Sequence, residues 1–291
     1  MNADSFRRVA VLGAGTMGHG IAQVAASAGF ETALHDIETK FVEGGLDRIR
    51  KNLARAVEKG KLSSEDPARI ASRISGTTDL EAAVRDADVV IEAIPEDLGL
   101  KERTFARVSR ACPPDALLAT NTSSLPVSKI AASAAIPGRV LGLHFFNPPF
   151  AMPLLEIVRA EETSEEALAA ARAFAARLGK TAIVVRDSPG FATSRLGLAL
   201  GLEAMRMVER GVASAKDIDT AMKLGYGHPL GPLELTDLVG LDVRLAIAEH
   251  LDRELGPSFR PPEILRRLVR EGRLGRKTGA GFHDYSAPGK E

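Results

Sequence analysis

Residues 9–18 read VAVLGAGTMG, and this stretch decides the fold. Its first four residues are apolar and predict a short buried strand. Three glycines follow with the spacing G-x-G-x-x-G, and the apolar helical pattern IAQVAASAG begins three residues after the last of them, at Ile21. A strand, this glycine turn and a helix are together typical of a dinucleotide site, in which the pyrophosphate lies at the helix N-terminus. The expected contacts are Gly13, Gly15, Thr16, Met17 and Gly18.

An acidic residue, Asp36, ends the next predicted strand about 20 residues beyond the glycines, as the dinucleotide fingerprint requires. Its carboxylate is placed to accept hydrogen bonds from a ribose hydroxyl, and it would repel a 2′-phosphate. Ile37 follows it, where a site for NADP would favour a basic residue, although Lys40 is close by. The sequence therefore predicts NAD as the cofactor.

Strand and helix patterns alternate through residues 1–187. This alternation predicts an α/β fold with a doubly wound, Rossmann-type parallel sheet. Residues from about 38 to 72 contain two helical patterns, and Ser63 or Ser64 is placed to cap the second one. This helical arm is longer than a minimal crossover needs. The predicted strands are Val9–Leu12, Thr32–His35, one near Ile74, Asp88–Glu92, Ala116–Thr120, Val140–His144, Leu154–Val158 and Ala182–Val185.

The pattern changes at residues 187–190, which read DSPG. Beyond them helical periodicity continues and strand patterns almost disappear. The sequence therefore predicts an NAD-binding domain over residues 1–187, followed by a smaller all-α domain over residues 188–291. The helix candidates of the second domain are Phe191–Glu209, Ser214–Leu224, Leu233–Asp237, Asp242–Glu254 and Pro262–Arg270.

The composition is that of an ordinary globular protein, with 45% hydrophobic residues, 26% charged residues and a formal net charge of zero. Nothing in it favours nucleic-acid binding through bulk charge, and no apolar run approaches the roughly 20 residues of a membrane span. The single cysteine, Cys112, excludes an internal disulfide framework, and no spacing of histidine and acidic residues is typical of a metal site. We expect a cytoplasmic protein that acts on a small molecule.

Polar residues cluster at the predicted carboxyl ends of successive strands, where ligands bind in sheets of this kind. They are Ser123 in NTSS, His144 and Asn147 in LGLHFFNP, and Glu156 in LLEIV. Histidine is a natural general base near neutral pH, and a buried glutamate beside it would hold the imidazole in one tautomer. Alone, His144 would be interpreted as a core histidine. With these neighbours and a nucleotide cofactor, it predicts hydride transfer at an alcohol carbon.

The chain as a whole resembles the L-3-hydroxyacyl-CoA dehydrogenases of the short, single-function type, and in particular the bacterial 3-hydroxybutyryl-CoA dehydrogenases. The resemblance covers essentially the full length. The motifs that carry it are VLGAGTMGHGIAQVAA, ADVVIEAIPED, NTSSLPVSKIA, GLHFFNPP, LLEIV, DSPGF, DLVGLDV and GRKTGAGF. It implies NAD-dependent oxidation of a 3-hydroxyacyl-CoA thioester.

The resemblance also implies a role for each matching residue. His144 is the general base that takes the proton of the 3-hydroxyl group, and Glu156 is its partner. Ser123 and Asn147 contact substrate and cofactor around the reacting carbon. The remaining implied contacts are Glu96 and Lys101 on the nicotinamide side, Lys277 to the cofactor from the helical domain, and Lys59 to the coenzyme A tail.

One position departs from the family pattern. Many relatives have asparagine in a GFxxNR segment, whereas this chain reads GFATSR and has Ser194 there. Serine is shorter and offers a hydroxyl group, so we expect a substrate contact with an altered fit. The resemblance further implies a homodimer formed by the helical domain, where RLGLALGLEAM is strongly apolar. The alternative is that these residues fill only the core of their own domain.

Two other functions fit parts of the sequence. One is a dehydrogenase of a free hydroxy acid on the same fold. The 3-hydroxyisobutyrate type uses a catalytic lysine, which GLHFFNP argues against, whereas a gulonate type shares more motifs. The other is a non-catalytic NAD-binding relative, which the polar cluster around His144 argues against.

Overall fold

A computed structural model of the chain describes residues 5–286. It divides into two compact units, residues 1–187 and residues 188–291. Each unit has its own cluster of buried apolar side chains, so each has its own hydrophobic core. Among the described residues, no helix has both the length and the apolar character needed to cross a bilayer.

The first unit contains one eight-stranded sheet. Its strand order is β3-β2-β1-β4-β5-β6-β7-β8, a doubly wound arrangement in which the chain starts near the centre and fills both sides. The predicted Rossmann-type fold class is therefore confirmed. The strands are β1 (Arg8–Leu12), β2 (Glu31–His35), β3 (Ile74–Thr77), β4 (Val89–Glu92), β5 (Leu117–Thr120), β6 (Val140–Phe145), β7 (Leu154–Arg159) and β8 (Thr181–Arg186).

The sequence predicts a parallel sheet, but the sheet is not parallel throughout. Strands β6 and β7 pair antiparallel, whereas β7 and β8 are again parallel to each other. The reason is the short connection over residues 146–153, because a parallel crossover needs roughly a dozen residues or more. In the register of this pair His144 lies opposite Glu156.

Helices cover the sheet and explain why its central strands are apolar. Every residue of β4, β5 and β6 is buried, which is typical of parallel strands covered on both faces. The helices of the first unit are α1 (Gly18–Ser27), α2 (Thr39–Glu58), α3 (Asp66–Ala71), α4 (Leu80–Val84), α5 (Leu98–Ala111), α6 (Val127–Ala132) and α7 (Glu165–Arg177).

Helices α2 and α3 form the predicted helical arm. Its second helix begins later than the expected cap, because Glu65 is the N-cap of α3 and no side chain caps it. The Ser63 hydroxyl does not accept a hydrogen bond from the helix backbone, as a cap would. Instead, the backbone N–H and the hydroxyl of Ser63 both donate to the carboxylate of Asp66. The prediction of a serine cap was therefore wrong.

The described part of the second unit is helical, apart from two isolated β-bridges near its end. Its core is built from apolar side chains such as Leu198, Leu202 and Leu251. A Cβ atom added to Gly201 of the first helix would lie 3.1 Å from the hydroxyl oxygen of Thr236, so the two helices are in close contact there. The helices are α8 (Thr193–Glu209), α9 (Ala215–Tyr226), α10 (Pro232–Val239), α11 (Leu241–Leu255) and α12 (Glu263–Arg270).

Candidate cofactor and active site

The glycine turn connects β1 to α1, and its three glycines serve different purposes. Gly13 has φ +98°, and a Cβ atom there would lie 2.6 Å from the carbonyl oxygen of Ala93. A Cβ atom on Gly18 would overlap the carbonyl oxygen of Gly13. By contrast, a Cβ atom on Gly15 would meet no atom of the chain within 4 Å. The fold itself needs Gly13 and Gly18, whereas Gly15 keeps open a space next to the backbone, as a pyrophosphate requires.

The carboxylate of Asp36 is bound to this turn. It accepts hydrogen bonds from the backbone N–H of Ala14 at 2.8 Å and from that of Ile37 at 2.7 Å. These bonds fix its orientation at the end of β2. The ammonium of Lys40 forms an ion pair with Glu38 at 2.8 Å, so its charge is already paired. Both observations fit NAD better than NADP.

Two further side chains contact the turn, and neither was among the predicted site residues. The guanidinium of Arg48, on α2, donates to the carbonyl oxygen of Ala14 at 2.6 Å. The Nδ1 atom of His19 lies 2.7 Å from the carbonyl oxygen of Gly15. Burial lowers the pKa of His19, and the nearby Arg48 charge acts in the same direction. Arg48 occurs on an exposed amphipathic helix, where the sequence offers no signal that separates it from a solvated arginine.

His144 and Glu156 form a direct pair. The Nδ1 atom of His144 lies 2.7 Å from Oε2 of Glu156, and the Glu156 side chain is completely buried. The ring of Phe146 lies beside the imidazole, with centroids 4.6 Å apart. Contrary to the prediction, Glu156 is not at the carboxyl end of its strand but near the start of β7. The antiparallel direction of β7 brings it to the same edge of the sheet as the end of β6.

The segment that follows β5 is joined to the end of β6. The backbone N–H of Phe145 donates to the side-chain oxygen of Asn121 at 2.9 Å, one residue after His144. Ser123, two residues beyond Asn121, is half-buried. Asn147 is exposed, two residues beyond Phe145. The polar side chains predicted to act together therefore come from adjacent strand ends.

Glu96 and Lys101 belong to the same group of contacts. The ammonium of Lys101 donates to Glu92 at 2.6 Å and lies 3.3 Å from Glu96. Glu96 in turn accepts hydrogen bonds from the hydroxyl of Thr122 at 2.5 Å and from the backbone N–H of Ser123 at 3.1 Å. Glu92 and Thr122 were not among the predicted site residues, although an acidic residue that ends an apolar strand is a recognisable signal.

Three predicted contacts lie elsewhere. Lys59 is exposed and follows α2, a helix of 20 residues that spans about 30 Å from its start beside Asp36. In the second unit, Ser194 is half-buried in the first turn of α8. Lys277 is there ion-paired with both carboxylate oxygens of Asp242, at 2.6 and 2.7 Å.

The fold and the glycine turn together define a Rossmann-type dinucleotide-binding protein. Residues 8–188 match the family model described as the NAD-binding domain of 3-hydroxyacyl-CoA dehydrogenase. Residues 190–285 match the model of the C-terminal domain of the same family. The chain therefore belongs to the 3-hydroxyacyl-CoA dehydrogenase family, and the alternative of a non-catalytic relative is set aside.

Individual relatives are similar to this chain over nearly their full length. The chain is 47% identical over 280 residues to a probable 3-hydroxybutyryl-CoA dehydrogenase of Bacillus subtilis (strain 168), covering 96% of this chain and 97% of the relative. It is 44% identical to a 3-hydroxybutyryl-CoA dehydrogenase of Mycobacterium tuberculosis, covering 97% and 100%. The crystal structure of the (S)-3-hydroxybutyryl-CoA dehydrogenase from Ralstonia eutropha is 40% identical, with a TM-score of 0.93 and coverage of 97% and 100%.

Proposed function

We propose that the chain catalyses the reversible NAD-dependent oxidation of (S)-3-hydroxyacyl-CoA to 3-oxoacyl-CoA, with His144 as the general base. The observation that carries this proposal is the buried contact of 2.7 Å between His144 and Glu156. The names of the relatives support a short acyl chain, as in 3-hydroxybutyryl-CoA and acetoacetyl-CoA.

The geometry suggests how the base acts. When Nδ1–H of His144 donates to the carboxylate of Glu156, the Nε2 atom carries the lone pair that accepts the proton of the substrate hydroxyl. The carboxylate then stabilises the imidazolium that forms. Bound NAD supplies the hydride acceptor, so one hydride and one proton leave the alcohol and a ketone results. Ser123 and Asn147 contact the reacting part of the substrate and the cofactor in this scheme.

The cofactor contacts divide into two groups. The pyrophosphate and adenosine half is held by the turn from Gly13 to Gly18, including Thr16 and Met17, and by Asp36. Glu96 and Lys101 contact the nicotinamide half, and Lys277 also contacts the cofactor. The space next to Gly15 and the fixed carboxylate of Asp36 support the first group.

In this proposal the first unit carries the cofactor and the general base, and Ser194 contacts the substrate. Lys59 contacts the coenzyme A tail. The second unit also forms a homodimer. The support for a dimer is that large apolar side chains remain exposed on this unit: Leu196 is 71% exposed, Leu224 83% and Tyr226 78%.

The test is to follow NADH absorbance with acetoacetyl-CoA, with NADPH and with free acetoacetate in parallel. We expect rapid loss of NADH with acetoacetyl-CoA and no loss with free acetoacetate. Preference for NADPH would overturn the role of Asp36 only. Turnover of the free acid, and not of the thioester, would support the gulonate-type alternative instead.

A further inference from the structure

Glu92 ends β4 at the edge of the sheet where the glycine turn lies, and its side chain is only 1% exposed. Three donors surround its carboxylate. The Lys101 ammonium at 2.6 Å and the backbone N–H of Ile94 at 2.8 Å donate to Oε1, and the hydroxyl of Thr120 at 2.8 Å donates to Oε2. A fully buried carboxylate with this many donors holds a single orientation.

Lys101 depends on this carboxylate. Its side chain is also only 1% exposed, and a buried ammonium without a partner is strongly destabilising. Burial raises the pKa of Glu92, whereas the charge of Lys101 opposes that rise. The pair therefore places the ammonium at one fixed point, 3.3 Å from Glu96.

The contacts continue from Glu96 to the segment after β5. Glu96 accepts hydrogen bonds from the hydroxyl of Thr122 and the backbone N–H of Ser123. The Thr122 oxygen itself accepts one from the backbone N–H of Leu125 at 2.9 Å. Glu92 also acts on this segment from its other end, because Thr120 is the last residue of β5.

From these contacts we infer that Glu92 is a positioning residue for the nicotinamide half of the cofactor site. It acts through Lys101 and Thr120, which set the positions of Glu96 and Ser123, and it touches neither cofactor nor substrate. The inference rests on the proposed function, in which Glu96, Lys101 and Ser123 make those contacts. The adenosine half depends on the glycine turn and Asp36 instead.

The two halves of the cofactor can be separated experimentally. ADP contains the adenosine and diphosphate but no nicotinamide, whereas NADH contains both halves. In Glu92→Gln the amide no longer neutralises Lys101, and we expect the Kd for NADH to rise about tenfold. The Kd for ADP should stay within about twofold of the parent value. NADH binding is read from its own fluorescence, since the chain has no tryptophan, and ADP binding by calorimetry.

Arg139 provides the matched control. It is also a buried charged residue, donates to the carbonyl oxygen of Ser109 at 2.7 Å, and precedes β6 at the opposite edge of the sheet from His144. Arg139→Gln should lower the melting temperature and leave the ratio of the two Kd values unchanged. If Glu92→Gln behaves like this control, with the ratio preserved, Glu92 is structural only and the inference fails.

A milder variant covers the case in which Glu92→Gln does not fold. Thr120→Val is nearly isosteric and removes one donor to Glu92, so we expect a loss of about threefold that is again confined to NADH. An unchanged ratio in this variant would also overturn the inference. The binding ratio does not need turnover, so failure of the parent protein with acetoacetyl-CoA would count against the proposed function alone.

Discussion

The side chains of His144 and Glu156 are held by the backbone as well as by each other. They are opposite residues of an antiparallel pair, so their Cα positions follow from the ladder of β6 and β7. The Nδ1 contact of 2.7 Å then sets the orientation of the ring. At the scale of single residues, the proposed base should therefore be replaceable without loss of the fold.

The first prediction concerns His144→Gln. A positioned general base typically contributes about 10² to 10⁴ in rate, so kcat should fall by that factor. The Kd for NADH should stay near the parent value, because the glycine turn is untouched. Steady-state kinetics with acetoacetyl-CoA measure the first quantity, and NADH fluorescence the second. His250→Gln, on α11, is the control; if His144→Gln turns over as fast as this control, His144 is not the base.

The second prediction concerns Glu156→Gln and its combination with His144→Gln. The amide keeps a hydrogen-bond acceptor but loses the charge that stabilises the imidazolium, so the single variant should lose turnover. Because Glu156 acts through His144, the double variant should be no slower than His144→Gln alone. Losses that multiply in the double variant would indicate an independent role for Glu156.

Site residues that belong to recognisable motifs could be predicted from the sequence. Residues that act only through their contacts with other side chains could not. His144 and Asp36 occur in recognisable motifs, whereas the importance of Glu92 depends on its contacts with Lys101, on helix α5, and with Thr120, on the neighbouring strand β5. Arg48 depends on where α2 passes the glycine turn. Such contacts follow from tertiary packing, which no local pattern encodes.

At the scale of elements, the glycines of the turn between β1 and α1 are needed for two different reasons. Gly18 is required because the helix passes too close to Gly13 for any side chain. Gly15 is different, since nothing in the chain occupies the space beside it. The same motif therefore contains two positions that packing requires, Gly13 and Gly18, and one, Gly15, that leaves space for a ligand.

The third prediction follows from this difference. Gly15→Ala should leave the free energy of unfolding within about 0.5 kcal/mol of the parent value but raise the Kd for NADH about tenfold or more. Gly18→Ala should lower the free energy of unfolding by about 1–3 kcal/mol, as overpacking does. Urea denaturation and NADH fluorescence measure the two quantities. A destabilised Gly15→Ala with intact NADH binding would show that Gly15 serves the fold instead.

Most elements of the sheet were predicted correctly, but the direction of β7 was predicted wrongly. Apolar runs identify strands equally well in either direction. What decides direction is the length of the connection over residues 146–153, and the sequence analysis treated β7 as one more strand of a parallel series. The assumption of a parallel β7 also placed Glu156 at the wrong end of its strand, although the predicted pairing with His144 agrees with the structure.

At the scale of the whole molecule, the second unit contains a buried charged cluster that links stability to pH. Asp219 is 1% exposed and accepts hydrogen bonds from the backbone N–H of Leu233 at 2.8 Å and of Glu234 at 2.9 Å. Its Oδ2 atom also lies 2.7 Å from Nε2 of His283. The hydrogen bond to Asp219 raises the pKa of His283.

The fourth prediction follows from the sign of that shift. A histidine whose pKa is higher in the folded state stabilises the protein fully below its unfolded-state pKa, and this contribution is lost as pH rises through the folded-state value. The difference in melting temperature between the parent and His283→Gln should therefore shrink as pH rises from 6 to about 9. Circular dichroism measures the melting temperature of each protein. Burial lowers the pKa of His19 and His35, but both proteins contain them, so their contribution cancels. A difference that does not change with pH would contradict the prediction.

The antiparallel pair has a consequence for how this protein and its relatives can diverge. His144 and Glu156, the proposed base and its partner, are aligned by the β6–β7 ladder, whereas the connection between their strands, residues 146–153, lies outside that ladder. Mutations in the connection, which includes Asn147, can reshape what lies beside the imidazole without changing the distance from His144 to Glu156. Under the proposed function, selection for a new acyl group would act on this one short segment while the pair of His144 and Glu156 is inherited intact.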